Sequence, residues 1–346
     1  MLPVLAKCVS IMLSVVMFLS TPLNLVTGKK QQKIARAEED CRVSFAAISD
    51  LHLRGNFKLI FQGMLELGLE DFSGAKDRLD AVVFDGDITN NGAIEEWDVF
   101  AEALSNYDIA DNTILAIGNH DTWGPYTDDD KWDDPEEGFK PTFIKYNKII
   151  AGREITEMYY SEIINGYHFI VMGAEEDHVW SYISPEQVEW LDSELAKSAD
   201  TGLPTFVFLH QPVNETHGLP YTWELDETHP PEKGGIGEQN SAVVKVLKKY
   251  DNIFYISGHI HAGLKRESDS VGPEYASVEY MKNDNGNNIT LINLPSYMYP
   301  DFIRGGHLAN GCGWVVEAYD TKVMLRARNF GTGTWLTKYD VTVDLV

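Results

Sequence analysis

Five short runs of aliphatic and β-branched residues, each ending in an Asp, Asn or His, constrain this chain more than any other feature. Val43–Ser49, Ala81–Phe84, Thr113–Ile117, Thr205–Leu209 and Ile253–Ser257 read as buried strands. Helical patterns at Asn56–Leu69, Ala93–Leu104, Pro185–Leu195 and Ser241–Lys249 lie between them. Asn91 or Gly92 suits the start of the second helix, and Ser184 with Pro185 the start of the third. Alternating strand and helix argue for an α/β core. Two stretches break the rhythm. Met158–Ile164 and Tyr167–Met172 flank Asn165-Gly166, a hairpin signal. Beyond Glu274 the pattern is strands and turns, at Asn288–Leu294, Trp314–Ala318, Val323–Phe330 and Leu336–Val343. A second sheet packed on the first accounts for both. With no linker-like stretch, residues 38–346 read as one domain.

The polar residues at the strand ends carry the chemistry. They are Asp50-Leu51-His52, Asp85-Gly86-Asp87, Gly118-Asn119-His120-Asp121, His210 and Gly258-His259-Ile260-His261. Ligand sites of open α/β sheets lie outside the carboxyl ends of the strands, so these side chains can converge. Carboxylate and imidazole are ligands for Zn, Mn and Fe ions. The i, i+2 spacing in Asp50-x-His52 and His259-x-His261 puts both side chains on one face of an extended segment. Glycines before Asp87, Asn119 and His259 suit sharp turns close to a metal. Two divalent ions sharing one carboxylate and one hydroxide would generate a nucleophile at neutral pH. A neutral Asn ligand leaves such a centre net positive, which suits a phosphate substrate. With 28 Gly and 10 His in the chain, Gly-His-x-His arises by chance roughly 0.02 times, so coincidence is a poor account of the set.

In that order the motifs resemble those of the calcineurin-like metallophosphoesterases. The resemblance implies a pair of packed mixed β-sheets flanked by helices, two divalent metal ions (Mn, Fe or Zn), and hydrolysis of phosphate esters by a metal-bound hydroxide. It implies Asp50, His52, Asp87 and His261 on one ion and Asn119, His210 and His259 on the other, with Asp87 as the bridge. His120 would face the substrate, stabilising the transition state or protonating the leaving oxygen, and Asp121 could orient its imidazole. The run Gly86-Asp87-Ile88-Thr89-Asn90-Asn91-Gly92 is similar to bacterial cyclic-nucleotide phosphodiesterase-like members. Purple acid phosphatases carry a Tyr three residues after the bridging Asp, where this chain has Asn90, which argues against a tyrosinate-ligated iron centre. Phosphodiesters are therefore favoured over monoesters. A silent binding protein of the same fold would be expected to lose ligands, and none is missing. An all-helical His-Asp phosphohydrolase fails because Thr113–Ile117 reads as a strand.

Charge and termini narrow the setting. The net charge of −25 repels nucleic-acid backbones, which makes long duplexes poor substrates and leaves small phosphate esters, drawn in by local metal charge. Lys7 precedes an apolar stretch from Val9 to Leu25, and Ala35-Arg36-Ala37 fits a small-x-small cleavage site. Residues 1–37 thus read as a signal peptide of a secreted or cell-surface protein, with an uncleaved anchor as the alternative. The remaining thiols, Cys41 and Cys312, could form a disulfide or stay unpaired. An acidic loop from Thr122 to about Gly138 reads as solvated. The loop after His210, with His217, Tyr221, Trp223 and His229, either caps the pocket or packs on itself. His178 follows a strand end and is a candidate substrate contact.

Overall fold

The computed structural model describes residues 34, 40–55, 58–123, 138–176, 181–219, 234–266, 275–298, 307 and 309–346. The expected signal segment before Ile34, most of the acidic loop, His178, Tyr221, Trp223 and His229 lie outside these residues. Among the described residues no helix is long and apolar enough to cross a membrane.

Two mixed sheets pack face to face. The first contains β1 (Val43–Ile48), β2 (Ala81–Asp85), β3 (Asn112–Ala116), β10 (Cys312–Ala318), β11 (Lys322–Asn329), β12 (Thr334–Trp335) and β13 (Val341–Asp344). Its order is β12-β11-β10-β1-β2-β3, with β13 also on β11; β1, β2 and β3 are parallel and the rest antiparallel. The second runs β4-β5-β6-β7-β9-β8, from β4 (Tyr160–Ile164), β5 (Tyr167–Val171), β6 (Thr205–Phe208), β7 (Ile253–Ser257), β8 (Val278–Lys282) and β9 (Asn288–Asn293). Its four central strands are parallel and each outer strand is antiparallel to its neighbour.

The layered α/β fold is as expected, but the strands are shared out differently. The five chemistry-bearing strands do not form one sheet with the later strands stacked on it. β1 to β3 lie in the first sheet, and β6 and β7 in the second. Local patterning could not show this, because four of these strands are buried along their whole length and β3 over its last three residues. The second sheet alternates with period two. Phe169, Phe206, Phe208 and Phe254 face the inter-sheet core, while Ile170, Val207 and Tyr255 face outward. Phe45 of β1 inserts among Phe169, Phe206 and Phe208, ring centroids 5.0, 4.9 and 6.1 Å away. Such edge-to-face packing locks the sheets together.

Helices cover the outer faces. α1 (Lys58–Ser73), α2 (Ile94–Ser105) and α3 (Phe139–Ala151) pack with the first sheet, where Phe100 of α2 meets Phe84 edge-on at 5.0 Å. α4 (Pro185–Ala199) and α5 (Asn240–Leu247) bury Leu191, Leu195, Val243 and Leu247 against the second. The Ser184 hydroxyl accepts from the Gln187 amide, as its sequence context predicts. Neither Asn91 nor Gly92 caps α2, whose preceding residue is Ala93 with no side-chain cap. α3 and β8 were not expected, and the predicted strand Leu336–Val343 is instead a short helical turn followed by β13.

Two details bear on the termini. Cys41 and Cys312 are both free. The β1–β10 register pairs Val43 with Ala318 and Ala47 with Trp314, so the thiols sit at opposite ends of one ladder, about 26 Å apart at 3.3 Å per residue. The disulfide alternative is therefore ruled out by strand register. Ile34 is buried in the core, and its carbonyl accepts from Arg78 Nη1 at 2.7 Å. A cut after Ala37 would remove that side chain.

Candidate metal centre

The loops leaving β1 and β2 run side by side. The Asp50 amide donates to the Gly86 carbonyl at 3.2 Å, His52 to Asp87 at 2.9 Å and Leu53 to Ile88 at 3.0 Å. The paired chelating residues do not use extended backbone, which corrects the expectation drawn from their spacing. Asp50, His52, His259 and His261 all have positive φ, at 58°, 45°, 72° and 57°, and so does Asp87 at 49°. Alternate left-handed residues curl each loop so that both side chains point inward. His52 Nε2 lies 3.9 Å from Asp50 Oδ1, and His261 Nε2 3.2 Å from the same oxygen. Gly118 and Gly258 are required by crowding. A Cβ on Gly118 would lie 2.2 Å from the Asp87 amide nitrogen, and one on Gly258 would lie 2.0 Å from Ser49 Oγ.

The side chains form two groups that meet at Asp87. Ligand atoms of Asp50, His52, Asp87 and His261 lie within 4.8 Å of one another, and so do those of Asp87, His210 and His259. His52 Nε2 is 2.8 Å from His261 Nε2, and His210 Nε2 is 3.2 Å from Asp87 Oδ2. Asn119 is buried, and its Oδ1 has no hydrogen-bond partner among the described residues; the same holds for Asp50 Oδ2. Two buried oxygens without donors, beside facing imidazole nitrogens, suit cations. The donor set of carboxylate, amide and imidazole fits divalent Zn, Mn or Fe.

Electrostatics agree with dense, dry packing. Burial alone would raise Asp87, but His210, His120 and His52 outweigh it and hold the carboxyl well below its usual range. Burial lowers His210, yet Asp87, Asp50 and Asp85 lift it to about 10. Its Nδ1 donates to the Asp85 carbonyl at 2.7 Å, which turns Nε2 toward Asp87. Burial drives His52 and His259 well below the ordinary imidazole value. Neutral imidazole is the ligating form.

His120 lies against the first group, its ring edge-on to His52 at 4.6 Å. Asp121 does not touch the imidazole, contrary to the expected orienting role. Its carboxylate accepts from the amides of Thr89 (2.8 Å), Gly118 (2.9 Å) and Ile88 (3.3 Å) and from Thr89 Oγ1 (2.7 Å). Both oxygens are spent tying two loops together. Burial, with the nearby Asp87 charge, raises this carboxyl to about 7. The imidazole is held instead by the Asn90 carbonyl, 2.8 Å from Nδ1, and by Trp123, with ring centroids 3.8 Å apart. Neither partner was found from sequence. A backbone carbonyl leaves no residue-type signal, although Trp123 follows the Gly-Asn-His-Asp motif closely enough to have been noticed.

The calcineurin-like phosphoesterase family profile matches residues 43–263, and the chain belongs to that family. Within it the chain is 23% identical over 231 residues to a probable glycerophosphodiester phosphodiesterase of Arcobacter nitrofigilis, covering 62% of this chain and 70% of that protein. It is also 23% identical over 241 residues to a 3′,5′-cyclic-nucleotide phosphodiesterase of Nostoc, covering 67% and 77%. Among solved structures, a dimetal phosphatase from Danio rerio has the same fold, with a TM-score of 0.56 at 14% identity over 89% of this chain and all of that one. The chain is a metal-dependent phosphoric ester hydrolase using two divalent ions.

Proposed function

We propose that this protein is an exported phosphodiesterase acting on small phosphate diesters. The observation that carries the reading is the pair of buried ligand groups sharing Asp87, with His120 at their edge. In this reading Asp50, His52, Asp87 and His261 hold one ion, and Asp87, Asn119, His210 and His259 the other. Two such ions would supply Lewis acidity and a water nucleophile at neutral pH. The chain contributes the rest. His120 keeps Nδ1–H on the Asn90 carbonyl and presents Nε2 to the substrate; Nε2 takes up a second proton from solvent, and the imidazolium gives that proton to the leaving oxygen and returns to the neutral Nδ1–H form. Asp121 clamps the loops that hold Asp87 and Asn119. Diesters are supported by the names of the two bacterial relatives and by Asn90 standing where purple acid phosphatases have Tyr.

The test compares a bis-aryl phosphodiester with the matching monoester, after chelation and reloading with Mn, Zn or Fe. Metal-dependent turnover with the diester faster is expected; a faster monoester would overturn the substrate class. Export rests on the basic and apolar N-terminus. The buried Ile34 favours processing upstream of it over processing after Ala37. Intact mass of the exported protein should include Ile34, and a stable product beginning at Glu38 would contradict this.

A further inference from the structure

Glu96 lies on α2, away from both ligand groups, yet it is 97% buried and surrounded by the loops that form the site (3% exposed). Its Oε2 accepts from the amides of Asn90 (3.1 Å) and Asn91 (2.8 Å), and its Oε1 accepts from Asn91 Nδ2 (3.0 Å). The Gly55 amide, three residues past His52, lies near enough to help hold its carboxyl down. One carboxylate therefore gathers the loop that follows β1 and the loop that follows β2. The Asn90 carbonyl then reaches a third loop, accepting from His120 Nδ1 at 2.8 Å. The Asn90 amide also pairs with the Leu53 carbonyl at 2.9 Å, so Asn90 is held on its amide side while its carbonyl is aimed at the imidazole.

We propose that Glu96 is a positioning residue for His120, fixing the Asn90 peptide so that one proton stays on Nδ1 and Nε2, turned toward the leaving oxygen, is the nitrogen that takes up and delivers the second. The residue occupies the third position of α2, where a Glu ordinarily reaches back to the helix cap. Here the preceding Ala93 offers no side-chain cap, and the carboxylate extends further back, to Asn90 and Asn91. A buried carboxylate is costly to keep without donors, and it is the site loops that supply them. Burial raises its carboxyl, and the amides of Asn91, Asn90 and Gly55 pull it back. An outer partner that fixes the tautomer of a functional histidine acts through geometry and not through contact with substrate.

The inference rests on the role given to His120 above, and two readouts separate its failure from the failure of that role. The first needs no turnover. Ring ¹⁵N shifts of His120 in the full-length, metal-loaded protein report which nitrogen carries the proton. Wild type and Glu96→Gln, whose amide oxygen can still accept, should show Nδ1–H; Glu96→Ala should show mixed tautomers. The second uses two diesters that differ in leaving-group acidity. Glu96→Ala should lower kcat on the order of 100-fold for the poor leaving group and less than about 5-fold for the nitrophenyl one, with KM nearly unchanged. Glu96→Gln should recover most of the loss, and adding Glu96→Ala to His120→Ala should cost nothing further on the poor substrate. Glu96→Asp, which draws the carboxylate back by one methylene, should give the same pattern more weakly and serves if the Ala variant does not fold. An unchanged His120 tautomer in Glu96→Ala or Glu96→Asp overturns the proposal. So does an equal loss on both diesters, or full additivity with His120→Ala.

Discussion

Where β4 turns into β5, the residues with positive φ are Asn165 and Gly166, at 53° and 87°. These types reach the left-handed region at the least cost, and the side chain of Asn165 donates only to the Asp80 carboxylate and the Arg42 carbonyl among the described residues. At the opposite end of the sheets the same region holds Asp50, His52, Asp87, His259 and His261. For the three histidines, which lack the short side chain that eases Asn and Asp into this region, each such conformation costs about 1–2 kcal/mol. At the hairpin the residue is chosen to suit the backbone. At the metal centre it is chosen for its ligand atom, and the backbone is forced to follow. Cross-loop bonds hold it there, among them His52 to the Asp87 carbonyl and the His259 amide to Asp50 Oδ1. Strained residues gather where function requires them.

That contrast is open to direct attack, most sharply at Asp50. Asn tolerates the left-handed region much as Asp does, so Asp50→Asn keeps the backbone and removes the charge. Turnover should fall at least about a hundredfold, while the stability of the chelated protein stays within about 0.5 kcal/mol. Retained turnover with lost stability would mean that the residue serves the backbone after all.

Asp85 sharpens the comparison from behind the site. Both of its carboxylate oxygens are buried without hydrogen-bond partners among the described residues, and burial raises the group to about 8 from an ordinary 3.8. Between those values the folded chain holds a proton that the unfolded chain has released. Stability therefore falls as pH rises from about 4 to about 8. Urea unfolding of the chelated protein should show a loss of roughly 3 kcal/mol between pH 5 and pH 8 from this group, and Asp85→Asn should remove that part of the slope. A slope unchanged in the variant would show that Asp85 finds a donor or stays charged.

The smallest effect belongs to the hairpin. Gly166→Ala forces a Cβ into φ 87° and should cost about 1 kcal/mol in thermal unfolding with kcat unchanged. A drop in kcat would show that the two ends are coupled.

The five strands that lead into the site, and the polar side chains that gather at their ends, were legible in the sequence, because buried β-branched runs and rare polar clusters are local signals. The sequence did not reveal that β1 to β3 and β6 to β7 belong to different sheets. Strands buried on both faces have no polar side to show what lies across from them. It misjudged Asp121 for a related reason. Adjacency to His120 suggested contact, whereas the short helical turn His120–Thr122 sends the carboxylate back toward Gly118 and Thr89. The described partners of the His120 ring include Trp123 and the Asn90 peptide carbonyl, and the loop carrying that carbonyl is itself bonded to Glu96 on α2. The carbonyl and the Glu are not visible without the fold.

The central claim is one bridging carboxylate between two ion sites, and ion stoichiometry tests it most directly. Full-length protein loaded with Mn or Zn and freed of excess metal should hold two ions per chain by elemental analysis. Asn119→Ala should retain one, and Asp87→Ala should lose tight binding at both positions together with turnover. Two ions retained in Asp87→Ala, or none bound by the wild-type chain, would contradict the account.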